Sequence, residues 1–106
     1  MNESLPRRNK IVTPRDYRKI QNNSKKKHSK YFTLFISEGR TRIGITISNK
    51  VGNSPERHYL KRCIKEVFRK NKNLFNKQDV VLIAKPEMNG LDYHQIYKEI
   101  IRILGK

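Results

Sequence analysis

The stretch Lys50-Val51-Gly52-Asn53-Ser54-Pro55-Glu56-Arg57-His58-Tyr59-Leu60-Lys61-Arg62-Cys63-Ile64-Lys65-Glu66-Val67-Phe68-Arg69 decides the reading of this chain. With residues placed about 100° apart, Leu60, Cys63, Ile64, Val67 and Phe68 fall within one helical sector of about 140°. His58, Lys61, Arg62, Lys65, Arg69 and Lys72 fall within a second sector, from about 100° to 200° from Leu60. One face packs on a sheet and the opposite face is cationic. Ser54 reads as the N-cap and Pro55 as the first helical residue, and with no interior Gly or Pro the helix is expected to run to about Lys72. Past its first turn Glu66 is the only acid, so the cations lack the i+4 partners of an ordinary solvated face and repel one another unless a polyanion neutralises them. That pattern points to nucleic acid. Just upstream, Lys50 to Asn53 join a strand to a helix start, whose free amides and dipole suit phosphate, while a plain turn at Gly52 is the competing reading.

Outward from this helix, Arg42 to Ser48 alternates Ile43, Ile45 and Ile47 with Arg42, Gly44, Thr46 and Ser48, the pattern of a half-buried strand. It follows a turn at Glu38, Gly39 and Arg40, and is expected to be the hairpin partner of a strand from Tyr31 to Ser37. That strand has Phe32, Leu34 and Ile36 on one face and Tyr31, Thr33 and Phe35 on the other. Thr13, Pro14 and Asp16 signal the start of a first helix with Tyr17 and Ile20 on its apolar side, whereas Asn22 to Lys30 reads as a solvated loop. Downstream, Asp79 to Ala84 is a further strand, Pro86 to Gly90 a break, and the Asp92/Gln95 cap pair opens a last helix with Ile96, Ile100, Ile103 and Leu104 as its stripe. The order α-β-β-α-β-α describes one α/β sandwich, a single RNA-binding domain over residues 1–106, with a basic arm at about 1–12.

Length and charge bound the function. The 106 residues suffice for one small core, and 25 Lys+Arg against 9 Asp+Glu leave a net charge of +16. A chain this basic gains affinity for phosphates by releasing their counterions. The longest apolar run, Val80 to Ala84, is far short of the roughly 20 residues that span a bilayer, and no apolar stretch follows the N-terminal basic residues. With a lone Cys63, these features argue for a reducing cytoplasm and against a membrane or secreted protein.

The run from Lys50 to Arg69 resembles the signature of the bacterial ribonuclease P protein component, with Arg57, Leu60, Lys61, Arg62, Lys65 and Glu66 on the pattern. His58 and Tyr59 stand where that family has the asparagine and second arginine of an arginine-asparagine-arginine triplet. The likeness extends along nearly the whole chain: the basic arm, Asp16-Tyr17, Ser48-x-Lys50, and the apolar strand from Asp79 to Lys85. The resemblance implies the small subunit of a ribonucleoprotein that removes the 5′ leader of precursor tRNA. It implies that the catalytic RNA subunit holds magnesium ions and does the chemistry, that the single-stranded leader lies between the sheet and the first helix, and that the βαβ crossover is left-handed.

Single strands are held by aromatic stacking beside cations, which makes Tyr17 and Phe35 the candidates for the leader cleft, with core packing the competing reading of Phe35. Gln21 stands one turn on, where the family often has another aromatic. Lys50, Asn53, Arg57, His58, Lys61, Arg62, Lys65 and Arg69 are the candidate contacts to the catalytic RNA. His28, His58 and His94 lie in unrelated contexts, and no carboxylate pair or metal-ligand spacing emerges, so no catalytic residue and no metal site are assigned to this chain. Neither a membrane nor an obligatory protein partner is expected. A general RNA chaperone or ribosomal-type RNA-binding protein is the alternative, then a DNA-binding protein, with an independent basic nuclease as the rival from another class.

Overall fold

The computed structural model describes residues 10–11, 14–22 and 24–105. Most of the expected basic arm and the Thr13 cap lie outside the described residues, as do the side chains of Asp16 and Gln21. The elements are α1 (Pro14–Asn22), β1 (Lys25–His28), β2 (Phe32–Glu38), β3 (Arg42–Thr46), α2 (Ser54–Lys70), β4 (Gln78–Ala84) and α3 (Tyr93–Leu104). Short 3-10 turns at Lys72–Phe75 and Pro86–Met88 flank β4.

The fold is a mixed α/β sandwich around one four-stranded sheet, in the order β1-β2-β4-β3. The expected β2–β3 hairpin is not formed: β4 lies between the two, antiparallel to β2 and parallel to β3. The physical reason is in the apolar run of β4, which has no polar face to give to solvent. Val80, Leu82 and Ala84 enter the main core while Val81 and Ile83 join the cluster on the opposite face. Such a strand belongs in the middle, and the strictly alternating β3 suits a flank.

The segment expected to be a loop contributes β1, an edge strand paired antiparallel with β2 from Lys25–Ile36 to His28–Thr33. Its Lys-Lys-Lys-His sequence carries no strand propensity, but lysines are what blunt an exposed edge. Lys27 also donates to the Ile103 carbonyl at 3.2 Å, satisfying a carbonyl in the last turn of α3. On the other flank, Ile11 N–H donates to Ile43 O at 3.0 Å, so Lys10 and Ile11 extend pairing beyond β3.

Helices cover both faces. Leu60, Cys63, Ile64, Val67 and Phe68 of α2, the expected apolar sector, are all buried with Ile96 and Ile100 of α3 against one face. Ile20 of α1 and Ile11 cover Val81 on the other. The cap of α2 is Asn53, not Ser54: Asn53 Oδ1 accepts from Glu56 N–H at 2.9 Å and Glu56 Oε1 accepts from Asn53 N–H at 2.8 Å. Glu56 three residues on closes the reciprocal box that Ser54 has no partner to make. The helix ends at Lys70, where Asn71 Nδ2 donates to the Val67 carbonyl at 2.8 Å, and Lys72 falls in the following turn. The Asp92/Gln95 box opens α3 as expected.

Insertion of β4 forces residues 39–41 to carry the chain across two strand spacings, roughly 10 Å. Asp79, 4% exposed, anchors that crossing. Arg40 N–H donates to Asp79 Oδ1 at 3.0 Å, and Arg42 donates to both carboxylate oxygens, at 3.1 and 2.6 Å. Gly39 is required for close approach, since a Cβ there would lie 2.1 Å from Asp79 Cγ. Gly39 N–H to Lys77 O and Lys77 N–H to Thr41 Oγ1 complete the tie, with Thr41 and Lys77 at φ near +60°.

Candidate nucleic-acid interface

The sheet face under α1 is built in rows. Register places Lys26, Phe35, Val81 and Gly44 side by side across the four strands, and His28, Thr33, Ile83 and Thr46 in the next row. The Lys26 ammonium stands 5.4 Å from the Phe35 ring centroid. At the other end of the row Tyr17 lies over Gly44, where a Cβ would meet Tyr17 Cε1 at 2.6 Å. Both rings are half-buried at the edge of one apolar cluster, so Phe35 combines the two readings given to it: part packs on Val81 and part remains open. In the second row Thr33 is buried, Ile83 half-buried, and His28 and Thr46 exposed, leaving a floor that α1 does not close. Lys26 and His28 were hidden from sequence reasoning with the rest of β1.

On α2, His58, Lys61 and Arg62 are exposed, as is Lys50 ahead of it. Arg57 and Lys65 are half-buried, and the buried Arg57 Nε has no hydrogen-bond partner among the described residues. Asn53 uses its side-chain oxygen in the cap, and the Glu56 carboxylate sits at the helix start. Protein groups thus occupy amides that the sequence offered to phosphate. Arg69 is drawn onto the buried Glu66, to which Lys70 also lies at 3.6 Å. The hydrogen bond from Arg69 is the main reason the Glu66 carboxyl is held below its ordinary value. Gly52 is needed less for its turn than for space, because a Cβ there would lie 2.7 Å from Glu56 Oε1.

The leader-side and α2-side residues, treated as separate surfaces in the sequence, meet. Lys10, Tyr17, Ile45, Lys61 and Lys65 line one cavity of about 280 Å³. Lys61 and Ile45 also line its neighbour, about 260 Å³, with Arg57 and His58. Burial first, then the charges of Lys61 and Lys10, pull the Lys65 ammonium below its ordinary value, so an anion in this corner would relieve a repulsion already present. Burial raises the Tyr17 phenol against the opposing pull of the Ile45 backbone, keeping it neutral and able to donate. Cys63 is buried as expected, and burial raises its thiol. Among the described residues no three His, Cys, Asp or Glu side chains converge as a metal site, and no helix is long and apolar enough to cross a membrane.

The family model for Ribonuclease P matches residues 5–106. A ribonuclease P protein component from Citrifermentans bemidjiense is 33% identical over 106 residues, covering 97% of this chain and 91% of that protein. One from Syntrophus aciditrophicus is 35% identical over 107 residues, covering 97% and 90%. Among solved structures, the RNase P protein from Thermotoga maritima superposes with a TM-score of 0.79 at 25% identity, covering 90% of this chain and 94% of that one. The Staphylococcus aureus RNase P protein has the same fold, with a TM-score of 0.81 at 24% identity over 92% and 93% of the two chains.

Proposed function

The chain belongs to the Ribonuclease P protein component family, and on that premise we propose that it is the protein subunit of a ribonucleoprotein endonuclease that matures the 5′ ends of tRNAs. It acts as a single cytoplasmic RNA-binding domain. Its partners are a catalytic RNA, docked along α2, and precursor tRNA, whose single-stranded leader enters the cleft between α1 and the sheet. The observation that carries this reading is the junction at Lys61 and Lys65: one cavity joins the aromatic cleft to the cationic helix face.

The residues divide the work by chemistry. Lys61, Arg62 and Lys65, with Lys50, Arg57 and His58 around them, neutralise backbone phosphates and set the docking position. Tyr17 and Phe35 offer ring faces to leader bases, each stack contributing about 1 to 3 kcal/mol irrespective of base identity. Lys26 and the Lys10, Lys61 and Lys65 corner hold the phosphates that flank those bases. Holding both RNAs on one rigid sheet converts a bimolecular encounter into an oriented one, which lowers the barrier without any protein group touching the scissile bond. The side chains of this chain do not fit a magnesium site among the described residues; the ions belong with the catalytic RNA.

Reconstitution with the cognate catalytic RNA at low magnesium tests the proposal. Precursor tRNA cleavage should rise only when protein and RNA are combined. Cleavage by the protein alone would replace the proposal with an independent nuclease, and RNA annealing activity without any effect on cleavage would replace it with a general chaperone.

A further inference from the structure

Tyr59 is the one large hydrophobic side chain left exposed among the described residues, at 48% of its full area. Its hydroxyl faces the Cys63 thiol one turn on and the backbone of Tyr93 at the start of α3, so the ring bridges the seam between the two helices. Beyond it the Tyr93 and Tyr97 rings run parallel, 2° apart in plane with centroids 6.4 Å apart. The His94 ring meets Tyr93 edge-on at 5.5 Å, and the Lys70 ammonium stands 5.5 Å from the Tyr93 centroid. On the α2 wheel Tyr59 and Lys70 lie about 60° to 80° past Arg62, on the flank away from Lys61 and the α1 cleft. The cationic ridge therefore has an aromatic surface on each side.

The nearby carboxylates do not oppose an anion freely. Glu66 is held by Arg69 and Lys70, and Asp92 accepts from the Gln95 amide at 2.9 Å. One exposed ring is also too little apolar area for a stable protein interface, whereas a narrow ring strip edged by cations is what unpaired bases and their phosphates require.

We propose that Tyr59, continued by Tyr93 and Tyr97 and edged by Arg62 and Lys70, is a second stacking surface for unpaired nucleotides of the RNA docked on α2. This rests on the reading of α2 as an RNA-binding face. It gives the tyrosine that stands in place of an arginine a positive role: a phosphate contact is exchanged for a base contact.

The test compares a short unpaired oligoadenylate with an RNA duplex, bound to the full chain and to Tyr59→Leu, Tyr59→Phe and the Lys61→Ala/Arg62→Ala pair. Tyr59→Leu should weaken oligoadenylate binding about fivefold or more and leave the duplex within about twofold, while Tyr59→Phe stays near wild type. An iodouridine-substituted oligonucleotide should photo-crosslink to Tyr59 or Tyr97. Unchanged oligoadenylate affinity in Tyr59→Leu, equal losses for both probes, or crosslinks confined to Tyr17 and Phe35 would overturn the proposal. Self-association abolished by Tyr59→Leu, with RNA affinity unchanged, would also overturn it and assign the strip to a second copy of the chain. If the Lys61/Arg62 pair loses no affinity for either probe, the reading of α2 itself fails, an outcome distinct from failure at Tyr59.

Discussion

Replacing Asp79 by Asn tests the argument for how β4 is held between β2 and β3. The change keeps the shape and removes the charge, leaving the Arg42 guanidinium, whose side chain is 18% exposed, opposite a neutral amide. Breaking a fully buried ion pair costs about 3 to 5 kcal/mol. With Arg42 partly hydrated and the Arg40 amide still able to bond, about 2 to 4 kcal/mol is expected here, or a fall in Tm of roughly 8 to 16 °C for a domain of this size. Acid gives the sign check. Burial acts to raise the Asp79 carboxyl, but the Arg42 side chain and the Arg40 and Arg42 backbone amides outweigh it and leave the group below its ordinary value. Its stabilisation is therefore complete above the unfolded value of about 3.9 and is lost as pH falls through the depressed folded value. Denaturant melts of both proteins across this range should show a gap that is widest at neutral pH and closes in acid. The Glu66 and Glu99 carboxyls, also depressed by arginine partners, are present in both proteins and cancel in the difference. A gap below about 0.5 kcal/mol at neutral pH, or one that persists unchanged into acid, would refute the anchoring role.

Lys61→Ala with Arg62→Ala should leave Tm nearly unchanged and weaken RNA binding. If about six phosphates are neutralised by the wild type, its log affinity should fall with log salt at a slope of about −4, and the double variant's slope should be shallower by about 1 to 2; a lowered Tm with unchanged affinity per folded molecule would make the pair structural. Tyr17→Leu should weaken leader-bearing precursor tRNA about fivefold or more while sparing leaderless tRNA in titrations of the assembled complex, and equal losses would reject the cleft. Gly44→Ala must displace the Tyr17 ring, so it should lose about 1 to 3 kcal/mol of stability and reproduce the leader defect without touching α2. Unaltered melting and leader binding would show that the ring is not seated as described.

The helices were legible because their information is local. The apolar sector of α2 is buried residue for residue, and the Asp92/Gln95 box is formed; the one misplaced cap, Ser54 for Asn53, came from weighing Pro55 above the acid at Glu56. The sheet order was not legible, because a β2–β3 turn of three residues looks the same whether or not another strand arrives between them. The signal lay elsewhere, in a β4 run apolar on both faces. β1 was missed because Lys-Lys-Lys-His is a strand by virtue of its neighbour, not its own propensity. Of the candidate site, the exposed cations of α2 could be read from periodicity. The meeting of Tyr17 with Lys61 and Lys65 could not, since it depends on how α1 crosses β3, and the role of Tyr59 needed the position of α3.

β4 is both the middle strand and the last strand to be synthesised. Until residue 84 has emerged, β2 and β3 share no ladder, and only the β1–β2 pair can form. The whole cationic helix, complete by Lys70, leaves the ribosome before the sheet that supports it can close. Loss of even a short C-terminal piece that includes β4 therefore yields no smaller domain, only an unpaired polycation with two open strand edges. Folding of this chain waits on the end of translation, and its first contacts with RNA are made, or must be prevented, before it has a structure.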